Sequence, residues 1–241
     1  MKSEKITNSS SARTYNDACA AAHALDLLGE RWTLLVVREL IPGPKRFTDL
    51  RAGLPGISAN VLTQRLATLE EAAVVERQEL APPAAGRVYA LTEWGREAEP
   101  IFQALGRWGA RSPAHDPTAP VSTASVVMSL RTMFSPERTH GRSANVALTF
   151  GRERFLAQVT PKALLVERSD APAELELVGD ARAIASVIYA GIPPEALEGE
   201  GALTVAGERG LIAWFASLFP LPHKAQSRAE LVAAPRSGDR P

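Results

Sequence analysis

The residues with the clearest chemistry lie in PGISANVLTQRLATLEEAAVVE, residues 55–76. On a helical wheel Asn60, Thr63 and Gln64 gather on one side with Ala67, and Leu62, Leu66, Leu69 and Ala73 on the other. A solvated face ordinarily alternates Lys and Glu. Amides and a hydroxyl one turn apart suit a different task. An amide pairs two-fold with an adenine edge, and threonine offers a hydroxyl and a methyl to thymine, in a groove wide enough for a helix. The same short polar residues also suit plain solvation of a core helix, and residue types alone leave both readings open.

Base reading needs phosphate contacts around it. Lys45 and Arg46 precede a short helix, Arg51 ends it, Arg65 lies on the flank of the polar helix, and Arg87 sits at a hairpin. Glu70, Glu71 and Glu76 lie towards the far end. The expected DNA-facing set is therefore Lys45, Arg46, Arg51, Ser58, Ala59, Asn60, Thr63, Gln64, Arg65 and Arg87. Each arginine equally suits a structural ion pair. The 27 basic and 27 acidic residues cancel, which argues against a grip on nucleic acid by gross basicity. Charge must act through placement.

The elements that would position these residues can be read in order. NDACAAAHALDLLG is a helix with Asn16 or Asp17 as N-cap and Gly29 as stop. ERWTLLVVREL is a mostly buried helix ended by Pro42 and Pro44. RFTDLRAGL is a short helix with Phe47, Leu50 and Leu54 inward, and Ser58 caps the polar helix. VVERQEL and RVYAL are strands joined by APPAAG. TEWGREAEPIFQALGRWGAR is a helix with a stripe of Trp94, Ala98, Ile101, Phe102, Leu105 and Trp108, kinked or broken by Pro100. Four helices, a hairpin and a helix, with a Gly-containing turn before the polar helix, give the layout of a winged helix-turn-helix.

CAAAHALDLLGERWTLLVVREL, GPKRFTDLRAGLPGISANVLTQRLATLEEAAVVER and RVYALTEWGRE, from about Cys19 to Arg111, resemble the HxlR-type winged-helix transcriptional regulators. The resemblance implies a homodimeric, sequence-specific DNA-binding repressor or activator of bacterial type on an inverted-repeat operator. The helix from Ser58 would be the recognition helix and APPAAGR the wing. The first helix and the Trp94–Trp108 helix would form the dimer interface. Two departures stand out. The wing carries only Arg87 as a base, and Ala73 stands where these proteins usually have Gly, in a left-handed helix cap. The family's Cys-Pro pair is here Cys19-Ala20. Some relatives sense oxidants through a cysteine near this place. Cys19 at a first helical turn suits a lowered pKa and a redox role, although Asp17 is close by and a cysteine is as often simply buried.

RSPAHDPTAP, 111–120, reads as a linker between regions 13–111 and 121–220. In the second region ANVALTF, RFLAQVT, KALLVERS, ELELVG and GALTVAG are strands. DARAIASVIYAGI, capped by Asp180 and stopped by Gly191, and ERGLIAWFASLF are helices, so the class is α+β. ELELVGDARAIASVIYAG and GALTVAGERGLIAWFASLF, a strand, Gly-Asp/Glu and helix twice over, resemble the sterol-carrier-protein-like fold. That resemblance implies an apolar small-molecule pocket lined by Val187, Ile188, Tyr189, Leu211, Trp214, Phe215 and Leu218. Each of these side chains more often serves as plain core, because a small domain needs its large side chains for packing.

His23, His115, His140 and His223 are scattered, and neither a nucleophile elbow nor a glycine-rich phosphate loop is present. Catalysis, metal binding and a cofactor are not expected. One cysteine excludes an internal disulfide framework. A polar N-terminus and the lack of a membrane-length apolar run point to a cytoplasmic chain that contacts no membrane. The expectation is a dimeric DNA-binding regulator with an appended ligand-binding domain. The alternative is a dimeric docking module for a protein partner that does not bind DNA.

Overall fold

Gly29, Pro42, Pro44 and Ser58 punctuate the first region, and the helices stop and start around them. The computed structural model describes residues 14–80 and 86–227. Helix α1 (Ala20–Leu28) begins later than expected, with Cys19 as N-cap. Asn16 takes a left-handed φ of 50°, and the Asp17 carboxylate accepts the Cys19 N–H at 2.9 Å, so neither residue caps the helix. Helix α2 (Thr33–Leu40) ends at Ile41, ahead of the two prolines. Helix α3 (Phe47–Gly53) buries Leu50, and Leu54 follows it into the core. Helix α4 (Ala59–Glu71) starts at Ser58, whose hydroxyl accepts the Val61 N–H at 3.2 Å. Its Leu62, Leu66 and Leu69 join Val36, Val37 and Leu50 in one apolar cluster.

Ala73, expected on the buried face of α4, is exposed because the helix ends two residues earlier. It is the left-handed cap residue, with φ 56°. The Ala73 N–H donates to Glu70 O and the Val74 N–H to Leu69 O, both at 2.9 Å, the bond pair of a Schellman termination. A Cβ in this conformation costs about 1 kcal/mol. Ala73→Gly is therefore expected to stabilise the chain by about 0.5–1 kcal/mol, read as a higher urea midpoint at unchanged m. A lower midpoint would contradict the cap.

Strands β1 (Val75–Leu80) and β2 (Gly86–Leu91) pair antiparallel, Val75 opposite Leu91 and Leu80 opposite Gly86. Lys45 adds a third strand's worth of pairing through one bridge to Tyr89. The expected wing tip, 81–85, lies outside the described residues. The helix expected after β2 is two: α5 (Glu93–Arg96), capped by Thr92, and α6 (Glu99–Ala110), with Pro100 in its first turn. Proline lacks the N–H that would continue the α5 ladder, so the chain breaks there. Gly95 is required inside α5, since a Cβ would stand 3.0 Å from the Val74 carbonyl carbon.

After an exposed stretch without helix or strand comes α7 (Thr123–Met133), capped by Ser122 and absent from the sequence reading. Strands β3 (Ala144–Phe150), β4 (Glu153–Val159), β5 (Leu164–Arg168), β6 (Leu175–Gly179) and β7 (Leu203–Gly207) form one sheet in the order β5-β4-β3-β6-β7. Only β3 and β6 run parallel. Helix α8 (Ala181–Ala185) is capped by the Asp180 carboxylate, which accepts the Ala183 N–H at 2.7 Å. It passes into a π-helical turn, Ser186–Ala190, closed by left-handed Gly191. A further helix, α9 (Pro194–Gly199), is another unforeseen element, and α10 (Leu211–Ser217) follows β7. Helices α7, α8 and α10 share a second apolar cluster with the sheet. The expected strands and helices of this region are present, and the architecture is mixed α and β.

The two clusters meet along a polar seam. Glu39 of α2 is wholly buried, and its carboxylate accepts from Lys45 Nζ at 2.8 Å, Arg38 Nη2 at 2.7 Å and the Ser122 hydroxyl at 2.6 Å. Arg131 of α7 grips both Glu99 oxygens of α6 at 3.0 Å. Gly53 lies against this junction, where a Cβ would stand 2.9 Å from the Glu39 carboxyl carbon.

Candidate nucleic-acid interface

The buried leucines of α4 fix which face of the helix is presented. Asn60, Thr63 and Gln64 are all exposed, and among the described residues none of their side chains has a hydrogen-bond partner. Ser58 is exposed and its hydroxyl caps the first turn of α4. Three unengaged polar side chains within two turns, on a helix held rigidly from behind, form a surface that can read hydrogen-bonding edges. Ala59 is half-buried at the helix start.

The expected phosphate contacts divide. Lys45 is corrected: only 6% of its surface is exposed, and its ammonium serves Glu39 rather than the surface. Arg65 is half-buried, donating to Arg31 O and pairing with Glu30, each at 3.0 Å, so it fastens α4 to the start of α2. Arg87 is exposed and pairs across the hairpin with Glu79 at 2.7 Å. Arg46 is half-buried at the α3 N-cap, with its guanidinium against Gly86. Arg51 is exposed and makes no ion pair with a described residue. The structure thus leaves the polar face of α4 and Arg51 exposed, and commits Lys45 and Arg65 to the scaffold.

Glu39 is the buried partner that decides the place of Lys45, and it does not stand out in the sequence. Its only local signal is an acid in an apolar helix six residues before a lysine. Arg31, exposed and 5.4 Å from the Trp32 ring, is another cation on this part of the surface.

Elsewhere on the first region, Trp108 is 76% exposed, and Trp94, Ile101 and Leu105 about half. Ile101, Leu105 and Trp108 follow helical spacing on α6, so they form one stripe. Leu25 of α1 is also half-exposed. Cys19 is an exposed free thiol. The N–H groups of Ala22 and then Ala21 hold its pKa below the ordinary thiol value.

The side chains expected to line a small-molecule pocket lie in the packed interior of the second region. Val187, Ile188, Leu211, Phe215 and Leu218 are buried members of the second cluster, with Tyr189 and Trp214 packed against them. The Tyr189 hydroxyl donates to Ser129 Oγ at 2.7 Å, and burial raises its pKa well above the usual phenol range. Trp214 donates to Thr139 O at 3.3 Å. These side chains fill a core. Among the described residues no cluster of metal-ligating side chains occurs, and no helix is long and apolar enough to cross a membrane.

The family profile described as HxlR-like helix-turn-helix matches residues 27–116. The HTH-type transcriptional regulator YodB of Bacillus subtilis is 40% identical over 85 residues, 35% of this chain and 76% of that protein. The solved reduced form of YodB aligns at 35% identity over 42% of this chain and all of its own, with a TM-score of 0.37. The redox regulator HypR in its oxidised form aligns at 34% identity over 38% of this chain and 94% of its own, with a TM-score of 0.36. The matched segment contains α2, α3, the polar-faced α4 and the hairpin in the expected order, and through it the chain belongs to the HxlR-like helix-turn-helix family.

Proposed function

We propose that this chain is a cytoplasmic transcriptional regulator that binds double-stranded DNA as a homodimer on an inverted-repeat operator. One observation carries the reading: in a helix-turn-helix of this family, Asn60, Thr63 and Gln64 stand exposed and unengaged on a helix whose other face is locked into the core. Two such helices would enter successive major grooves about 34 Å apart. The exposed stripe of Ile101, Leu105 and Trp108 on α6, with Leu25 of α1, supports dimerisation through that face. The sheet and helices of the second region support a sterol-carrier-protein-like regulatory unit.

The test contrasts two substitutions. Gln64→Ala is expected to relax preference at one base position by about 1–3 kcal/mol. Arg51→Ala is expected to weaken binding equally on all sequences and to lower the salt slope by about 1. If neither change alters DNA binding, the assignment of α4 is wrong. One observation favours a protein-docking module that does not bind DNA: Lys45, Arg65 and Arg87 are all engaged by carboxylates in a chain of zero net charge. Such a module would show no salt-dependent affinity for DNA.

Thiol control through Cys19 accompanies the main reading, supported by its exposure and lowered pKa and by relatives described as redox regulators. A lowered pKa means more thiolate at a given pH. Alkylation by iodoacetamide is therefore expected to reach half its maximal rate below the pH of an unperturbed thiol, about 8.5, and to vanish in Cys19→Ser. A midpoint at or above that pH would remove the support.

A further inference from the structure

Helix α6 carries the exposed stripe of Ile101, Leu105 and Trp108, yet it is weakly anchored in its own region. Among the described residues Ala98, just before it, is the last to join the first apolar cluster, and α6 itself has no buried residue. A helix that buries no apolar face depends for its direction on the bonds that hold its two ends. Both sets of bonds come from the second region.

At the first turn, Arg131 Nη1 of α7 donates to both Glu99 oxygens at 3.0 Å, and its Nη2 donates to the Val166 carbonyl of β5. Midway, Gly106 faces α7, where a Cβ would stand 3.6 Å from Thr132 Cγ2. At the far end, the segment after α10 returns over the last turn. Lys224 Nζ donates to Ala110 O at 3.0 Å and to Ser112 O at 3.1 Å. The Ala225 N–H donates to Arg111 O at 2.7 Å, and Arg111 Nε to His223 O at 3.3 Å. The last carbonyls of a helix lack partners within it and carry its partial negative charge, so an ammonium is well placed there. The returning segment is rooted in the second core through Phe215, Leu218 and Phe219. The two grips leave the opposite side of α6 free: Gln103, Gly106 and Ala110 are half-buried, whereas Ile101, Leu105 and Trp108 are exposed.

We propose that Arg131 and Lys224 are positioning residues for operator specificity: by fixing the direction of α6 they set the separation of the two reading helices in the dimer, and with it the half-site spacing that is bound. The proposal rests on dimerisation through α6 and base reading by α4, as proposed above. In a two-fold contact each α6 meets its own copy, so a tilt of α6 within the chain displaces both copies of α4.

The first measurement needs no DNA. A spin label is placed at Glu71→Cys, an exposed position in the last turn of α4, in the Cys19→Ser background. Double electron–electron resonance then reads the distance between the two labels of the dimer. The native chain should give one narrow distribution. Lys224→Met, which keeps the stem and loses the charge, and Arg131→Met should broaden or shift it, and Lys224→Arg should restore it. The second measurement compares inverted repeats whose half-site centres stand one base pair closer or further apart. The preference for the best spacing is expected to fall about five-fold in Lys224→Met, with affinity for a single half-site unchanged. Lys224 is exposed, so its variant decides the matter even if Arg131→Met does not fold. An unchanged distance distribution or an unchanged spacing preference in Lys224→Met overturns the assignment. A lower melting temperature with both readouts unchanged makes the two residues braces only. Failure of the underlying readings appears separately: a native chain without a distance signal removes dimerisation, and a dimer that binds no DNA removes base reading and with it the role in spacing.

Discussion

Replacing Glu39 by alanine is expected to destabilise the folded chain by about 3–5 kcal/mol, the cost of leaving a buried partner charge unpaired. Lys45 is 6% exposed, and its ammonium has Glu39 as its ion-pair partner. Arg38 and the Ser122 hydroxyl lose the same acceptor. A loss of this size is a large fraction of the stability of an ordinary domain, so the variant should unfold at much lower urea. The paired substitution Glu39→Leu with Lys45→Met removes both charges and should recover most of the loss. If Glu39→Ala costs less than about 1 kcal/mol, the seam is not held by this carboxylate. Ser122→Ala removes the bond across the seam together with the N-cap of α7. It is expected to leave the helix-turn-helix intact and to cost about 1.5–3 kcal/mol for the hydrogen bond to a charged group and about 1 kcal/mol more for the cap.

The second large effect concerns self-association. Trp108→Ala is expected to raise the dimer dissociation constant about 30-fold or more, corresponding to about 2 kcal/mol for an aromatic anchor. Trp108 is 76% exposed in the single chain and continues the stripe of Ile101 and Leu105 on α6. An aromatic ring left in water at the end of such a stripe is a liability unless something covers it. Sedimentation equilibrium reads the constant directly, and circular dichroism checks that the fold is retained. Affinity for an inverted repeat should fall in parallel, because each half-site alone binds weakly. An unchanged dissociation constant would place the dimer contact elsewhere, and a wild-type monomer would remove it altogether.

Local signals in the sequence mapped the first region well. Ser58 announced the start of α4 because its hydroxyl acts on an N–H three residues away. Periodicity set Ala73 on the buried face, and only the family resemblance, which has Gly there, marked the left-handed cap that its local bonds make. Pro100 marked the break between α5 and α6. What the sequence concealed depends on distant partners. Arg65 suited a phosphate contact and a structural ion pair alike, because the partner that decides it, Glu30, lies 35 residues away. Lys45 looked exposed in a Pro-Gly-Pro-Lys turn, yet the Glu39 carboxylate draws it inward. Helix α7 is marked locally by Ser122 as cap and by Val126, Val127 and Leu130 at helical spacing.

The expected small-molecule pocket was not legible for a different reason. Valine, isoleucine and phenylalanine line a cavity and fill a core alike, and only three-dimensional packing tells the two apart. In this chain they belong to the second apolar cluster.

The central claim is that the amides at 60 and 64 read bases. Selection from random duplex DNA with the purified full chain, followed by a salt titration on the enriched sequence, tests it most directly. The account predicts an inverted repeat with half-site centres about one helical turn apart and an affinity that falls steeply with salt. A folded dimer that enriches no sequence, or whose binding ignores salt, would contradict it.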